Sequence, residues 1–307
     1  MCGLCGYLDM SKEQSAEKDV LTSMTETMVY RGPDSSGYFL KDHLGLGFRR
    51  LSLIDLEGGH QPLYNEDKSI VLVCNGEVFN YLELKKDLVH KGHRFRTNTD
   101  VEVLLHLYEE CGIDVLNKLN GQFAFALYDR REQKLILARD PFGICPLFYT
   151  LVDDVLIFGS EIKAILAHPL VHREVDLVGL DQILTFPGLI SPRTMFKNIK
   201  SLKSGHYIVV QDRHLEIREY WDLDYPMMGE ISYRQPESYY VEKLDDILTQ
   251  SVKHRLHADV PVGLYLSGGL DSSLIAAIAN RLCIANRLPE STVHSFSIAF
   301  RDKDICE

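Results

Sequence analysis

Two short stretches of this 307-residue sequence hold side chains whose types and spacing could do chemistry. The chain opens Met1-Cys2-Gly3-Leu4-Cys5-Gly6, and SGGLDSS at 267–273 lies between two apolar runs. Cys2 and Cys5 form a C-x-x-C, the spacing of a redox pair or of half a metal site. A structural zinc site needs four ligands, and no second C-x-x-C accompanies this one. Redox pairs open a helix, whereas here the β-type run GLCGYLDM follows Met1 directly. A third reading rests on position. Removal of Met1, which a small residue at position 2 favours, leaves Cys2 with a thiol and a free amine. The thiolate is the nucleophile, and an α-amine of pKa about 8 can take and return its proton without a histidine. Cys5 then reads as a small buried residue of the first strand.

The SGGLDSS loop reads differently. Between a strand and a helix, backbone N–H groups and the helix N-terminus make a site for anionic oxygens. Gly268 and Gly269 permit close backbone approach, Ser267, Ser272 and Ser273 offer hydroxyls, and Asp271 can hold a magnesium ion against a pyrophosphate. The Gly-Lys-Ser/Thr ending of a Walker loop is absent.

The elements that must position these groups follow from pattern. LGLGF, SIVLVCNG, FAFALYD, KLILARD and VLIFGS are β-type runs bounded by Gly, Asp or Asn, and RREQ joins two of them as a hairpin. Helices are expected over 16–29, with Val20, Met24 and Met28 on one stripe, and over 80–91, with Leu84 and Leu88 one turn apart and Gly92 as the stop. A third starts at Thr99, whose side chain caps it in a box closed by Glu102, and ends before Gly112. Residues 170–236 are transitional, with the strand pair HYIVVQDRHLEIREYW inside them. A helix, the strand GLYL, the loop, the helix LIAAIANRL and the strand VHSFSIAF then alternate as in a parallel α/β sheet.

Composition narrows the partners. With 33 basic and 44 acidic residues the net charge is −11, which disfavours nucleic acid and anionic membranes. No apolar run approaches the roughly 20 residues of a membrane helix, and no signal peptide is evident, so a cytoplasmic location is expected. Seven cysteines at irregular spacing fit a reducing compartment, and none of the twelve histidines is read as catalytic.

SGGLDSS resembles the loop of the ATP pyrophosphatases, which cleave ATP between its α and β phosphates. With it, MCG at the start, RGPD at 31–34, RRLSLID at 49–55, NGEVFNY at 75–81, TDVEVLL at 99–105, GQFAFALYD at 121–129 and RDPFG at 139–143 together resemble the glutamine-hydrolysing asparagine synthetases over essentially the whole chain. The resemblance implies an α+β fold: a four-layer αββα N-terminal-nucleophile hydrolase sandwich followed by the beginning of a parallel α/β nucleotide-binding domain. The glutaminase domain is expected over 1–212, a linker over 213–236 and an incomplete ATP pyrophosphatase-type domain over 237–307.

By the same resemblance, Cys2 attacks glutamine, and Asn75 and Gly76 supply oxyanion donors, although Asn-Gly alone would read as a hairpin turn. Glutamine binding falls to Arg50, Leu51, Ser52, Leu53, Ile54, Asn75, Gly76, Glu77 and Asp100, with Arg50 gripping the carboxylate in a bidentate pair and Glu77 and Asp100 around the ammonium. ATP falls to Leu266, Ser267, Gly268, Gly269, Leu270, Asp271, Ser272 and Ile298, of which Leu266 and Ile298 read by themselves as strand-end core residues. ATP and Mg2+ serve without a prosthetic group, aspartate is adenylated and amidated, and a homodimer is among the expectations. The alternatives are an amidotransferase of the same architecture acting on another carboxylate, and a non-catalytic protein that keeps the fold.

The sequence departs from the pattern in three places. Tyr30 stands where most members have His, Cys145 stands where Lys is common, and only 34 residues follow Ser273. A doubly wound sheet needs on the order of 150 or more residues, so the synthetase half is expected to be unclosed, lacking its acceptor site and exposing unpaired strand edges.

Overall fold

Residue alternation along the strands sets the layers. The structure is a computed structural model and describes residues 1–229, 235–285 and 294–298. In chain order the first elements are β1 (Gly3–Asp9), α1 (Lys18–Glu26), β2 (Ser35–Lys41), β3 (Leu44–Arg50), β4 (Leu63–Tyr64), β5 (Ile70–Val78), α2 (Tyr81–His90) and α3 (Val103–Cys111). There follow β6 (Gly121–Asp129), β7 (Lys134–Arg139), β8 (Phe148–Val152), β9 (Val155–Gly159), α4 (Ile162–Leu166), α5 (Leu177–Thr185), β10 (Lys200–Ser201), β11 (His206–Gln211) and β12 (His214–Glu219). The strands make two six-stranded antiparallel sheets, in the orders β10-β8-β9-β1-β3-β2 and β12-β11-β7-β6-β5-β4.

On β5, Val71 and Val73 enter the core between the sheets, while Ile70, Leu72 and Cys74 join the core beneath α2 and α3. On β6, Ala124 and Ala126 take the inter-sheet side and Phe123, Phe125 and Leu127 the helix side. On β1, Leu4 faces the other sheet and Cys5 and Tyr7 face α1 and α4. Period-two alternation in which both faces are apolar is what a strand buried between a helix layer and a second sheet requires. The result is the four-layer αββα sandwich.

The hairpin across 130–133 forms as expected, and the β11–β12 hairpin extends the second sheet. The compact unit it completes runs Met1–Leu223, and the expected edge at 212 falls in the turn of that hairpin. One local expectation fails. Thr99 makes no capping bond, and the stretch Asp100–Glu102 is a 3-10 turn before α3. Glu102 instead accepts the N–H groups of Arg96 (2.7 Å) and Thr97 (2.8 Å) and the Thr97 hydroxyl (2.6 Å), because the chain enters from a loop whose own donors need partners.

The second unit, Asp224–Glu307, holds α6 (Glu237–Arg255), β13 (Gly263–Tyr265), α7 (Leu270–Ala285) and β14 (His294–Phe296). Here β13 pairs in parallel with β14, and Val252 of α6 packs on Ile278 and Ala279 of α7. Among the described residues, no helix is long and apolar enough to cross a membrane.

Candidate active site

Cys2 stands at the mouth of β1 on the same side as Leu4, so its sulfur packs on the rim of the inter-sheet core. Three bonds fix it. The Leu51 N–H donates to Sγ at 3.3 Å, Sγ lies 3.5 Å from the Leu51 carbonyl, and the Arg31 Nε–H donates to the Cys2 carbonyl at 2.8 Å. Burial pushes the thiol pKa up; the Leu51 bond, the N-terminal ammonium and Arg50 oppose this. A thiol so placed needs a base before it attacks anything. Cys5, in contrast, is fully buried beside the Thr25 hydroxyl at 3.3 Å, and burial drives its thiol up to about 12. It packs and does not react.

Cys2 opens into a cleft whose lining includes Arg50, Leu51, Leu53, Ile54, Asn75, Gly76, Glu77 and Asp100. Every residue singled out in sequence for glutamine is among the lining, which has others besides, with one exception. Ser52 does not line the cleft; its N–H donates to Asp34 at 2.7 Å and so ties the 51–54 segment to the RGPD turn.

Asn75 is 1% exposed, and neither its Nδ2 nor its Oδ1 has a hydrogen-bond partner. A buried side-chain amide left unpaired costs on the order of 1–3 kcal/mol, so a group kept in that state calls for an explanation. Gly76 has φ +153°, and a Cβ there would stand 2.1 Å from the Gln122 carbonyl oxygen. Asn75-Gly76 is therefore no hairpin turn; it lies inside β5 with Ala124 and Phe123 opposite.

The ammonium side of the expected clamp is more strongly built than the carboxylate side. Asp100 is 4% exposed, accepts the Val78 N–H at 2.7 Å, and has its pKa pushed up to about 6, chiefly by burial and further by Glu77. A cation brought there would lower it again. Arg50 corrects the sequence reading. Its guanidinium donates to the carbonyls of Leu56 (3.1 Å), Ile54 (3.1 Å) and Asp55 (2.6 Å), so no free fork faces the cleft. Of five N–H donors, three are engaged, and the remaining two are what a ligand could meet.

Sequence reasoning missed the residues that hold this arrangement. Arg31 bridges the Cys2 carbonyl to Glu161 at 2.6 Å. Gln61 bonds both backbone groups of Cys74, accepting its N–H at 2.6 Å and donating to its carbonyl at 3.1 Å, next to Asn75. Asp140 gathers the N–H groups of Phe142, Ile144 and Cys145 and so fixes the RDPFG turn, placing Cys145 on the cleft wall. The motif strings were the available signal. Tyr30, the departure beside Arg31, is 60% exposed and carries Lys163 over its ring at 3.8 Å, off the cleft.

In the second unit the loop between β13 and α7 is closed by its own serines. Ser267 Oγ lies 3.0 Å from Ser272 Oγ, Ser267 Oγ accepts the Gly269 N–H at 3.3 Å, and Gly268 has φ +90°. The helix begins at Leu270, four residues earlier than the apolar run suggests, so Asp271 stands exposed in its first turn. Leu266 donates its N–H to the Phe296 carbonyl at 2.9 Å and is half-buried. Ile298 is 81% exposed, so it is not a core residue of the described strands.

Residues 1–221 match the family model for the glutamine amidotransferase domain, and residues 243–307 match that for asparagine synthase. The chain is similar to asparagine synthetase [glutamine-hydrolyzing] 3 of Bacillus subtilis, at 38% identity over 99% of this chain and 49% of that one. It is also similar to the amidase chyE of Penicillium rubens, at 37% identity over 91% of this chain and 42% of that one. The chain spans about half the length of the curated relatives it matches. Among solved structures, glutamine phosphoribosylpyrophosphate amidotransferase from B. subtilis superposes with a TM-score of 0.54 at 17% identity, covering 98% of this chain and 67% of that one, a likeness of fold.

Proposed function

The chain belongs to the glutamine amidotransferase domain family, and from that premise we propose that its first unit releases ammonia from glutamine through Cys2. Once Met1 is removed, the Cys2 α-amine takes the thiol proton and the sulfur attacks the side-chain carbonyl carbon. The tetrahedral oxyanion lies between Asn75 Nδ2 and the Gly76 N–H. Collapse breaks the C–N bond, the amine returns the proton to the departing ammonia, and water hydrolyses the γ-glutamyl thioester to glutamate. Leu51, Leu53, Ile54 and the free donors of Arg50 meet the substrate carboxylate, and Glu77 and Asp100 the ammonium.

The observation that carries this reading is Asn75, a buried amide without a partner on the wall that Cys2 shares. In the whole protein, the loop from Ser267 to Ser272 holds the phosphates of ATP with magnesium on Asp271. Leu266 and Ile298 lie near the nucleoside, aspartate is adenylated, and ammonia displaces AMP to give asparagine. A single exposed carboxylate at a helix N-terminus fits a Mg2+ held largely by phosphate oxygens and water. The likeness to an amidase favours a second reading, the same donor chemistry serving another carboxylate. For the donor half, Cys2→Ala is expected to abolish ammonia release, and a glutamine-mimicking electrophile is expected to label Cys2 alone. Glutaminase activity surviving in Cys2→Ala would refute it.

A further inference from the structure

Outside the cleft, four side chains from three segments converge: Glu66 after β4, His93 after α2, and His106 with Glu109 on one face of α3. One ligand atom from each lies within 4.8 Å of the others. From the geometry we infer a zinc-type divalent metal site with two imidazole nitrogens and two carboxylate oxygens.

His106 carries the argument. It is 1% exposed, and neither ring nitrogen has a hydrogen-bond partner. Its Nδ1 stands 3.5 Å from Glu66 Oε2 and 3.5 Å from Glu109 Oε2, and His93 Nδ1 stands 3.7 Å from Glu109 Oε2 and 3.9 Å from Glu66 Oε1. An imidazolium bonded to a carboxylate would close to about 2.7–2.9 Å. Four ligands about 2.0–2.1 Å from a tetrahedral zinc lie about 3.3 Å from one another. The observed spacings fall on the side of ligands arranged round an ion and not of groups bonded to each other.

The outer atoms agree. Glu109 Oε1 accepts Asn65 Nδ2 at 2.8 Å, which turns its Oε2 toward both imidazoles, and Glu66 Oε1 accepts the Arg94 N–H at 2.9 Å, which leaves its Oε2 toward His106. His93 Nε2 lies 3.1 Å from Glu110 and His106 Nε2 lies 3.7 Å from Glu102. A carboxylate on the far nitrogen is the arrangement that orients metal-bound imidazoles. Two imidazoles exclude a calcium or magnesium preference. His-x-x-Glu at 106–109 was the only sequence signal, and the remaining ligands come from 13 and 40 residues upstream of His106.

The test loads the 307-residue chain with Zn2+ after chelator treatment and measures retained metal by mass spectrometry and unfolding by Trp221 fluorescence. One zinc per chain and a raised unfolding midpoint are expected. Co2+ in its place should give tetrahedral d–d bands without thiolate charge transfer. His93→Gln and Glu109→Gln, at partly exposed positions, should remove stoichiometric binding while the apo chains remain folded. Glu110→Gln, one atom further out, should weaken binding about 10–100-fold. Absence of bound zinc, binding unchanged in the His93→Gln/Glu109→Gln double variant, or a cobalt–thiolate band would each overturn the inference.

Discussion

Asp100→Asn should make the first unit more stable and a poorer glutamine binder. Asp100 is buried and its pKa is raised from 3.8 to about 6, so between those values the folded chain holds a proton that the unfolded chain has lost. Stability therefore falls as pH rises through that window. At 1.36 kcal/mol per pH unit, the interval corresponds to about 3 kcal/mol of cost for keeping the carboxylate ionised above pH 6. Asparagine removes the charge and keeps an acceptor for the Val78 N–H, now 2.7 Å from Asp100 Oδ2. The single tryptophan, Trp221, packs against Phe142 with ring centroids 5.0 Å apart inside the first unit, so its fluorescence follows that unit in urea. Other carboxylates, Asp9 and Glu102 among them, have lowered pKa values and pull stability the other way. The quantity to read is the difference between variant and wild-type curves. It should be near zero at pH 4, grow to as much as about 3 kcal/mol by pH 7, and favour the variant. In the glutaminase assay the KM should rise about 10–100-fold, the loss of a charge-assisted bond of about 1.5–3 kcal/mol. A difference curve flat from pH 4 to 7, or one favouring wild type, would refute the account.

Two further outcomes follow from the same cleft. Asn75→Ala should lower kcat about 10²–10³-fold in the glutaminase assay while leaving the urea midpoint near wild type, since the amide it removes has no partner to strand. Cys5→Ala should keep glutaminase activity and cost about 1–2 kcal/mol, read from the Trp221 transition, because only a small buried side chain is lost.

Much of the sandwich was legible because both faces of its inner strands are apolar and its turns carry Gly, Asn and Asp. The hairpin across 130–133 and the stop after α2 needed nothing beyond local chemistry. The Thr99 cap was not legible, since Glu102 is recruited by N–H groups of a loop whose path is a tertiary matter. The engagement of Arg50 was hidden for a related reason: a guanidinium reads as a free fork until the chain is seen turning back to offer it three carbonyls. The His93–His106 cluster could not be assembled from sequence, because Glu66 and His93 lie on segments apart from α3 and only His106 and Glu109 keep a local spacing. Cys2, Asn75 and Asp100 stood out as candidates because their motifs are strings; Arg31 and Asp140 lie in such strings too, but what they hold, like the whole part of Gln61, shows only once the backbone atoms they bond are in place.

The parity of β1 has an effect on redox behaviour. At about 3.3 Å per residue, positions 2 and 5 are about 10 Å apart along an extended chain, beyond the 7 Å at which two Cα atoms can share a disulfide. An odd separation also sends the two side chains through opposite faces, one to the rim between the sheets and one beneath Thr25. The sheet is a partition between two sulfur compartments. A motif that on a helix would be a dithiol is here two thiols parted by the sheet, and oxidation at Cys2 cannot be resolved by its neighbour three residues away.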